Sequence, residues 1–546
     1  MNASTPSAPL FRVGIISDTH IKETPASCKK LKAALKLFAA EKVDMMINCG
    51  DIANVHNVPA YKLYRKLINE VFTADKPEEI FIHAYHDWTS VNEVDASFKA
   101  MQEALEIPHE MLDCKIFKGY TFLIIPQNVP MEVLEEKIAS AVKANPDKPV
   151  FVIDHIPPFG IFHNGKLWGS KPRHEVLKKF PSVIQISGHI HGSSLDESNI
   201  WQGEYSAVNA GCLATWGGDF TAAAPKSKPA YEALIMEVFA DKVLFRRYSV
   251  VTKKEYTLTP CWTIPLPFDP ATAPYVPARR YEASEAPAFS PRAKLKLETV
   301  GKKFSFLKLR FPNAAPDVFK YRVQIERKNA DGTFECTAIT ELPGNFYKAL
   351  SRQKDSHQCL LTSAYFEKGK TYQLSVIPEN FFGKPGVPLS TLWKAPAPAP
   401  AEVIYETKDP MDLPFITELT DGVPVKREGD YYFHDTHNAR LELPETIWEN
   451  IPEGTVLRFI ADLHTIQEDT SERSWTMLLR NQEPLENACP RIHTPYGDVH
   501  CRYQTEFTPK PGRKYCLLVR EGAPAKLKFE YIRIEKVTLS EKSENL

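Results

Sequence analysis

Paired cysteines and an excess of one charge are both missing from this chain of 546 residues. Its ten cysteines run from Cys28 to Cys516 without a single Cys-x-x-Cys pair, which excludes a structural zinc module of that kind. With 67 basic against 68 acidic residues there is no net field to gather nucleic acid or an anionic membrane, so any attraction for phosphate must be local. No apolar run approaches the roughly 20 residues of a membrane helix. Neither an internal repeat nor the basic-aromatic interleaving of a single-strand nucleic-acid groove is evident. Residues 1–9 lack the basic start and apolar core of a secretory signal. Read as written, this places the chain in the cytoplasm; a signal removed from the expressed sequence would make it exported or periplasmic, and both stay open.

What is present is a change of pattern along the chain. Residues 1–264 alternate short apolar runs with segments of helical period, which predicts an α/β domain. The strand candidates are Arg12 to Ser17, Val43 to Asn48, Glu79 to His83, Tyr120 to Ile125, Val150 to Asp154 and Val183 to Ser187, with two more within Tyr231 to Val251. Helices are expected over Cys28 to Glu41 and Met131 to Asn145, where apolar residues share one face. Residues 265–292 form a proline-rich connector, and residues 394–401 an Ala/Pro linker that proline stiffens. Residues 293–393 and 402–540 read as two all-β sandwich units, the second with a jelly roll as one form open to it. In the first of these, Cys336 and Cys359 read as free thiols. Tyr431 and Tyr432 read either as a glycan-facing pair or as one core and one surface residue.

The residues that carry chemistry cluster after the predicted strands of the first domain. They are Asp18 and His20, Asp51 behind Gly50, His86-Asp87, His155, and His189 and His191 behind Gly188. Each short motif alone is common, but five in one order, each behind a strand candidate, predict side chains gathered at one end of a sheet. Carboxylates and imidazoles without a thiolate suit manganese, iron or zinc. Two such ions can orient a phosphate and neutralise charge on both its attacking and leaving oxygens.

Asp18-Thr19-His20, Gly50-Asp51, His86-Asp87, His155 and Gly188-His189-Ile190-His191 together resemble the calcineurin-like metallophosphoesterase family, over about residues 10–255. The resemblance implies a four-layer α/β/β/α sandwich followed here by two C-terminal all-β sandwich domains. It implies hydrolysis of phosphoesters by a metal-activated hydroxide, with two divalent or mixed-valence ions. Asp18, His20 and His191 would hold the first ion, Asp51 would bridge, and His155 and His189 would hold the second. His86 would steady the phosphate and protonate the leaving group, with Asp87 beside it orienting the ring and raising its pKa. Farther along, Lys368 to Val376, with Asn380 and Gly383, resembles the late strands of a fibronectin type III module, with Tyr372 at the tyrosine-corner position.

The chain departs from the family at Ala84-Tyr85, where Gly-Asn is usual and the asparagine oxygen ligates the second ion. Three outcomes are open. Tyr85 binds as a phenolate; water or a residue such as His83 fills the gap; or the second site is weak. Lys166 and Arg173 are candidates for meeting a phosphate, and Trp168 and Trp216 for stacking on a base or sugar. The expected partner is a phosphoester, with a diester preferred over a monoester because no cluster of extra cations is visible. The alternative is a degenerate phosphoesterase that serves as a glycan- or protein-binding scaffold.

Overall fold

The computed structural model describes residues 8–162, 168–214, 231–256, 260–300, 306–345, 355–362, 365–366, 369–396, 401–417, 424–434, 439–449, 451–467, 475–480, 486–487, 492–493, 497–510, 512–520 and 525–537. The chain divides into two compact units: 1–221 with 226–284 and 346–352, and 222–225 with 285–345 and 353–546. No helix among the described residues is long and apolar enough to cross a membrane.

The first unit is built on two sheets. Strands β1 (Phe11–Ile16), β2 (Met45–Asn48) and β3 (Glu78–Phe81) run parallel, with β1 followed outward by an antiparallel pair, Glu232–Val238 and Lys242–Ser249. In the second sheet, β4 (Asp113–Phe117) pairs antiparallel with β5 (Tyr120–Ile124). Three parallel neighbours follow: β6 (Val150–Ile153), β7 (Val183–Ser187) and Ser206–Asn209.

Strand alternation sets the layers. Val13, Ile15, Met45, Ile47 and Ile80 of the first sheet meet Phe122, Ile124, Phe151, Ile153 and Ile186 of the second in one dry core. The alternate residues Ile16, Met46 and Phe81 pack under α1 (Pro25–Ala40), α2 (Val58–Val71) and α3 (Val94–Leu105). Leu123, Val150, Val152 and Val183 pack under α4 (Met131–Ala144) and α5 (Lys171–Leu177). The result is the α/β/β/α sandwich. Because both faces of each sheet are covered, the central strands are mostly apolar rather than regularly alternating, with Gln185 and Asn48 among the exceptions.

Helix starts are encoded locally. Thr24 and Asn57 accept the N–H groups of Ser27 and Ala60, and Pro25 and Pro59 stand in the first turns, where a missing N–H costs nothing.

The second unit is all-β. A three-stranded sheet (Lys296–Val300, Phe306–Pro312, Ser356–Thr362) and a four-stranded sheet (Phe334–Pro343, Val318–Lys328, Thr371–Asn380, Leu389–Lys394) enclose a core in which Tyr372, Leu374 and Val376 point inward. Cys336 and Cys359 are free thiols. Two six-stranded sheets follow, one centred on Leu457–Gln467 and Ala525–Val537, the other on Tyr515–Arg520. Tyr432 is buried in their core, while Tyr431 hydrogen-bonds His464 Nδ1 at 2.9 Å.

Candidate metal centre

The carboxyl ends of parallel strands from both sheets converge, and each delivers one motif. Asp18 and His20 follow β1, Asp51 follows β2, His86 follows β3, His155 follows β6, and His189 and His191 follow β7. To turn into one point the backbone leaves the ordinary regions. Asp18, His20, Asp51, His189 and His191 all have positive φ, from 40° to 71°. A non-glycine residue held in such a conformation costs roughly 1–3 kcal/mol and persists where its surroundings over-determine it. Here the surroundings are a lattice of backbone bonds. Asp18 N–H donates to Gly50 O at 3.0 Å, His20 N–H to Asp51 O at 3.0 Å, Gly188 N–H to His155 O at 3.1 Å and Ala214 N–H to Asp18 O at 3.0 Å.

Two glycines permit the approach. A Cβ on Gly188 would lie 1.8 Å from Ser17 Oγ and 2.6 Å from Asp18 Oδ2; one on Gly50, at φ 101°, would lie 2.6 Å from His155 Nδ1.

The common point is Asp51 Oδ2. His155 Nε2 lies 3.3 Å from it, His20 Nε2 3.7 Å and His86 Nε2 4.0 Å. On one side His191 Nε2 is 3.1 Å from Asp18 Oδ1 and 3.1 Å from His20 Nε2. On the other, His155 Nε2 is 3.2 Å from His189 Nδ1. Asp18-His20-His191 and Asp51-His155-His189 are thus two compact donor sets, and His20-Asp51-His86 a third that overlaps them.

These residues fit metal ions. Asp18 Oδ1 is buried and accepts no hydrogen bond, and ring nitrogens face one another in two pairs where a shared cation would satisfy both. The charge pattern without ions points the same way. Burial works against ionisation of Asp18, yet His191 beside it holds its pKa at about 2. Burial likewise opposes charge on His155, but Asp51 carries it to about 9. His20 and His189, where burial wins, fall to about 4. Protons on some of these imidazoles balance the carboxylates where cations would otherwise do so.

His86 stands outside the first two donor sets and enters only the overlapping third. Its side chain is 42% exposed, and its Nδ1 meets Asn54 O at 2.7 Å, which leaves Nε2 facing Asp51. The expectation that Asp87 orients this ring is not met. Asp87 is fully buried, and its carboxylate accepts the N–H groups of Ile52 and Ala53 and the Tyr61 hydroxyl at 3.0–3.1 Å. It therefore fixes the loop behind Asp51. Burial, with Asp51 nearby, raises its pKa to about 7.

At the departure position, Tyr85 is 58% exposed, and its N–H donates to Gln127 Oε1. His83 is buried with Nε2 toward Asp87 O at 3.2 Å and joins no donor set. Arg173 is also buried. It donates to Asp154 Oδ2 at 2.7 Å and to the carbonyls of Pro126 and Gln127, so it braces the strand end that carries His155. Trp168 is 40% exposed, its ring 5.8 Å from that of His189. Lys166 and Trp216 lie outside the described residues.

Two residues not singled out from sequence complete the frame. Asn48 accepts Gly50 N–H and donates to Thr19 Oγ1; Asn209 accepts Gly211 N–H and donates to Gly188 O. The shared Asn-x-Gly signal at two strand ends is the mark that could have revealed them.

A further group, His464, His500 and Glu530, gathers on the C-terminal sheet. Its two imidazoles stack at 3.9 Å and 13°. Lone pairs lie in the ring planes, so rings stacked this way do not aim both at one ion.

Residues 11–193 match the family model described as calcineurin-like phosphoesterase. Metal-dependent phosphoester hydrolysis is the general activity this supports. No curated protein matches the chain. Among solved structures, a carbohydrate-binding module of a Cellvibrio mixtus lichenase, in complex with cellotriose, is 12% identical with a TM-score of 0.14, covering 23% of this chain and 98% of that one. A glycosyl hydrolase family 2 member from Bacteroides cellulosilyticus is 9% identical with a TM-score of 0.19, covering 97% of this chain and 63% of that one. Scores this low carry no argument about fold or ligand.

Proposed function

We propose that the N-terminal domain hydrolyses phosphodiesters with two divalent metal ions. The observation that carries this reading is the pair of donor sets meeting at Asp51 Oδ2, with one histidine, His86, facing the same oxygen but left outside both sets. Asp18, His20 and His191 would hold one ion, His155 and His189 the other, with Asp51 shared. Such ions supply charge neutralisation at the phosphoryl oxygens and water acidified to near neutral pH. The protein's own part is positional. His86, with its Nδ1 fixed by Asn54, keeps Nε2 available to hold or give a proton at the leaving oxygen.

The diester preference is supported by Arg173, a cation that a terminal phosphate dianion would call on, being spent on Asp154 and two carbonyls. Three protein ligands remain for the second ion without Tyr85, the number typical of catalytic zinc. This favours a working site over the scaffold reading.

The test is hydrolysis of bis-p-nitrophenyl phosphate and p-nitrophenyl phosphate by the full chain with manganese, iron or zinc, alongside metal analysis. Turnover of the diester with about two ions per chain is expected. A folded chain that holds no metal and turns over neither ester overturns the proposal.

A further inference from the structure

Among the described residues of the first unit, three tyrosine, tryptophan or phenylalanine residues are exposed: Tyr85 at 58%, Trp168 at 40% and Tyr281 at 43%. Two of the three are held against histidines of the metal cluster. The Tyr85 ring sits 5.9 Å from that of His86 at 83°, and the Trp168 ring 5.8 Å from that of His189 at 53°. His86 and His189 belong to different donor groups that share only Asp51, so the two exposed rings both border the same centre. Tyr85 is further steadied by an edge contact with Trp88 at 5.8 Å and by its N–H on Gln127, which fixes where its ring emerges.

A water-facing aromatic ring forgoes the large burial that aromatic side chains usually obtain, and here two do so beside the histidines of the metal cluster. We infer that Tyr85 and Trp168 form a stacking subsite for a planar ring carried by the substrate, so that the ester taken is that of a nucleoside. This rests on the phosphodiesterase reading and names its substrate class. A nucleoside ester has the required layout, an anionic phosphoryl group and a flat ring separated by one sugar. The position that lacks the usual amide then has a use of its own: the exposed phenol supplies a surface to the substrate in place of an oxygen to the ion.

The experiment compares thymidine 5′-p-nitrophenyl phosphate with methyl p-nitrophenyl phosphate on the metal-loaded full chain, for the unaltered protein and for Tyr85→Ala and Trp168→Ala. The unaltered protein is expected to prefer the nucleoside ester roughly tenfold or more in kcat/KM, mainly through KM, and each variant to lose about tenfold of that preference. The preference is read as the ratio of the two esters within each protein, so a general effect of either substitution on the centre, and any contact made by the p-nitrophenyl ring common to both esters, cancels. A preference near one in the unaltered protein, or a preference that survives both substitutions, overturns the inference. If neither ester is turned over, the phosphodiesterase reading fails, and the subsite is judged by equilibrium dialysis of thymidine 5′-monophosphate. Weaker binding to Trp168→Ala and Tyr85→Ala sustains it, and equal binding sinks it.

Discussion

The backbone N–H of His189 donates to Asp18 Oδ2 at 3.0 Å, joining the ends of β1 and β7, strands of two different sheets. One carboxylate oxygen is thereby spent on the scaffold, and the other, Oδ1, is left buried 3.1 Å from His191 Nε2 with no hydrogen bond of its own. Asp18→Asn is expected to remove the charge that an ion at this set requires and to set an N–H against the His189 N–H in one of its two rotamers. Loss of about one metal equivalent and a fall of at least roughly 100-fold in diester hydrolysis are expected. Retained metal at full stoichiometry would show that Asp18 serves the fold alone.

Gly188 makes that junction possible, because any Cβ there would run into Ser17 Oγ and Asp18 Oδ2. Gly188→Ala should separate the two sheet ends, with a cost of about 1–3 kcal/mol of overpacking and a drop in metal affinity. Denaturant unfolding and metal titration of the same sample measure the two effects, and unchanged values in both would contradict the crowding argument.

The elements that brought these residues together were legible because buried parallel strands are written as mostly apolar runs. Val150 to Ile153 and Val183 to Ser187 could be read directly, and the motif that follows each was then placed at a strand end. α2 was harder to read. Its Arg65 looks like a surface residue but is buried against Glu79 at 2.6 Å, a pairing 14 positions away that no local period reveals. The role expected of Asp87 misled for a geometric reason. Tyr85–Asp87 form a 3-10 turn, in which successive side chains diverge by about 120°, so the neighbour of His86 in sequence faces the opposite way in space.

Asp87 therefore predicts differently from His86. Asp87→Ala frees the N–H groups of Ile52 and Ala53 and the Tyr61 hydroxyl, and is expected to cost about 2 kcal/mol or more of stability. His86→Gln, at a partly exposed ring outside the Asp18-His20-His191 and Asp51-His155-His189 sets, should leave stability and metal content intact while lowering kcat by about 100-fold. Chemical denaturation, metal analysis and steady-state kinetics on the two variants separate the roles. Equal loss of stability in both would mean that His86 is structural.

Glu232 offers a test by pH at a distance from the reacting centre. It is fully buried, and that burial raises its carboxyl to about 7 even though Ser193 and Ser194 donate to it. The unfolded chain ionises this group near its ordinary value of 4.5. Below that value both states are protonated and no penalty applies. As pH rises from about 4.5 to about 7 the unfolded state alone gains charge, so stability falls by about 3 kcal/mol at most and then levels off. Glu232→Gln should remove this slope. Unfolding free energies of both proteins in chelator from pH 4.5 to 8 give the difference, and parallel curves would show that Glu232 does not titrate as argued.

Tyr85 is the last position to bear on the second ion. The backbone of His86, the next residue, donates to Asp51 Oδ1 at 3.2 Å, so the chain at position 85 runs directly past the donor set of Asp51, His155 and His189. The tyrosine ring is exposed, and His83 is turned toward Asp87 O and Ser97 Oγ. An amide in place of the ring would add a neutral oxygen to a set of three, without disturbing the Tyr85 N–H bond to Gln127, which is a backbone contact. Tyr85→Asn is therefore expected to bind the second ion on the order of tenfold more tightly, while the first ion is unaffected. Competition of the two proteins with a graded chelator, read as ions retained per chain, makes the measurement. A variant that loses its second ion would instead make the phenol a ligand, and one that binds it no more tightly would place the weakness of this site in its three remaining donors.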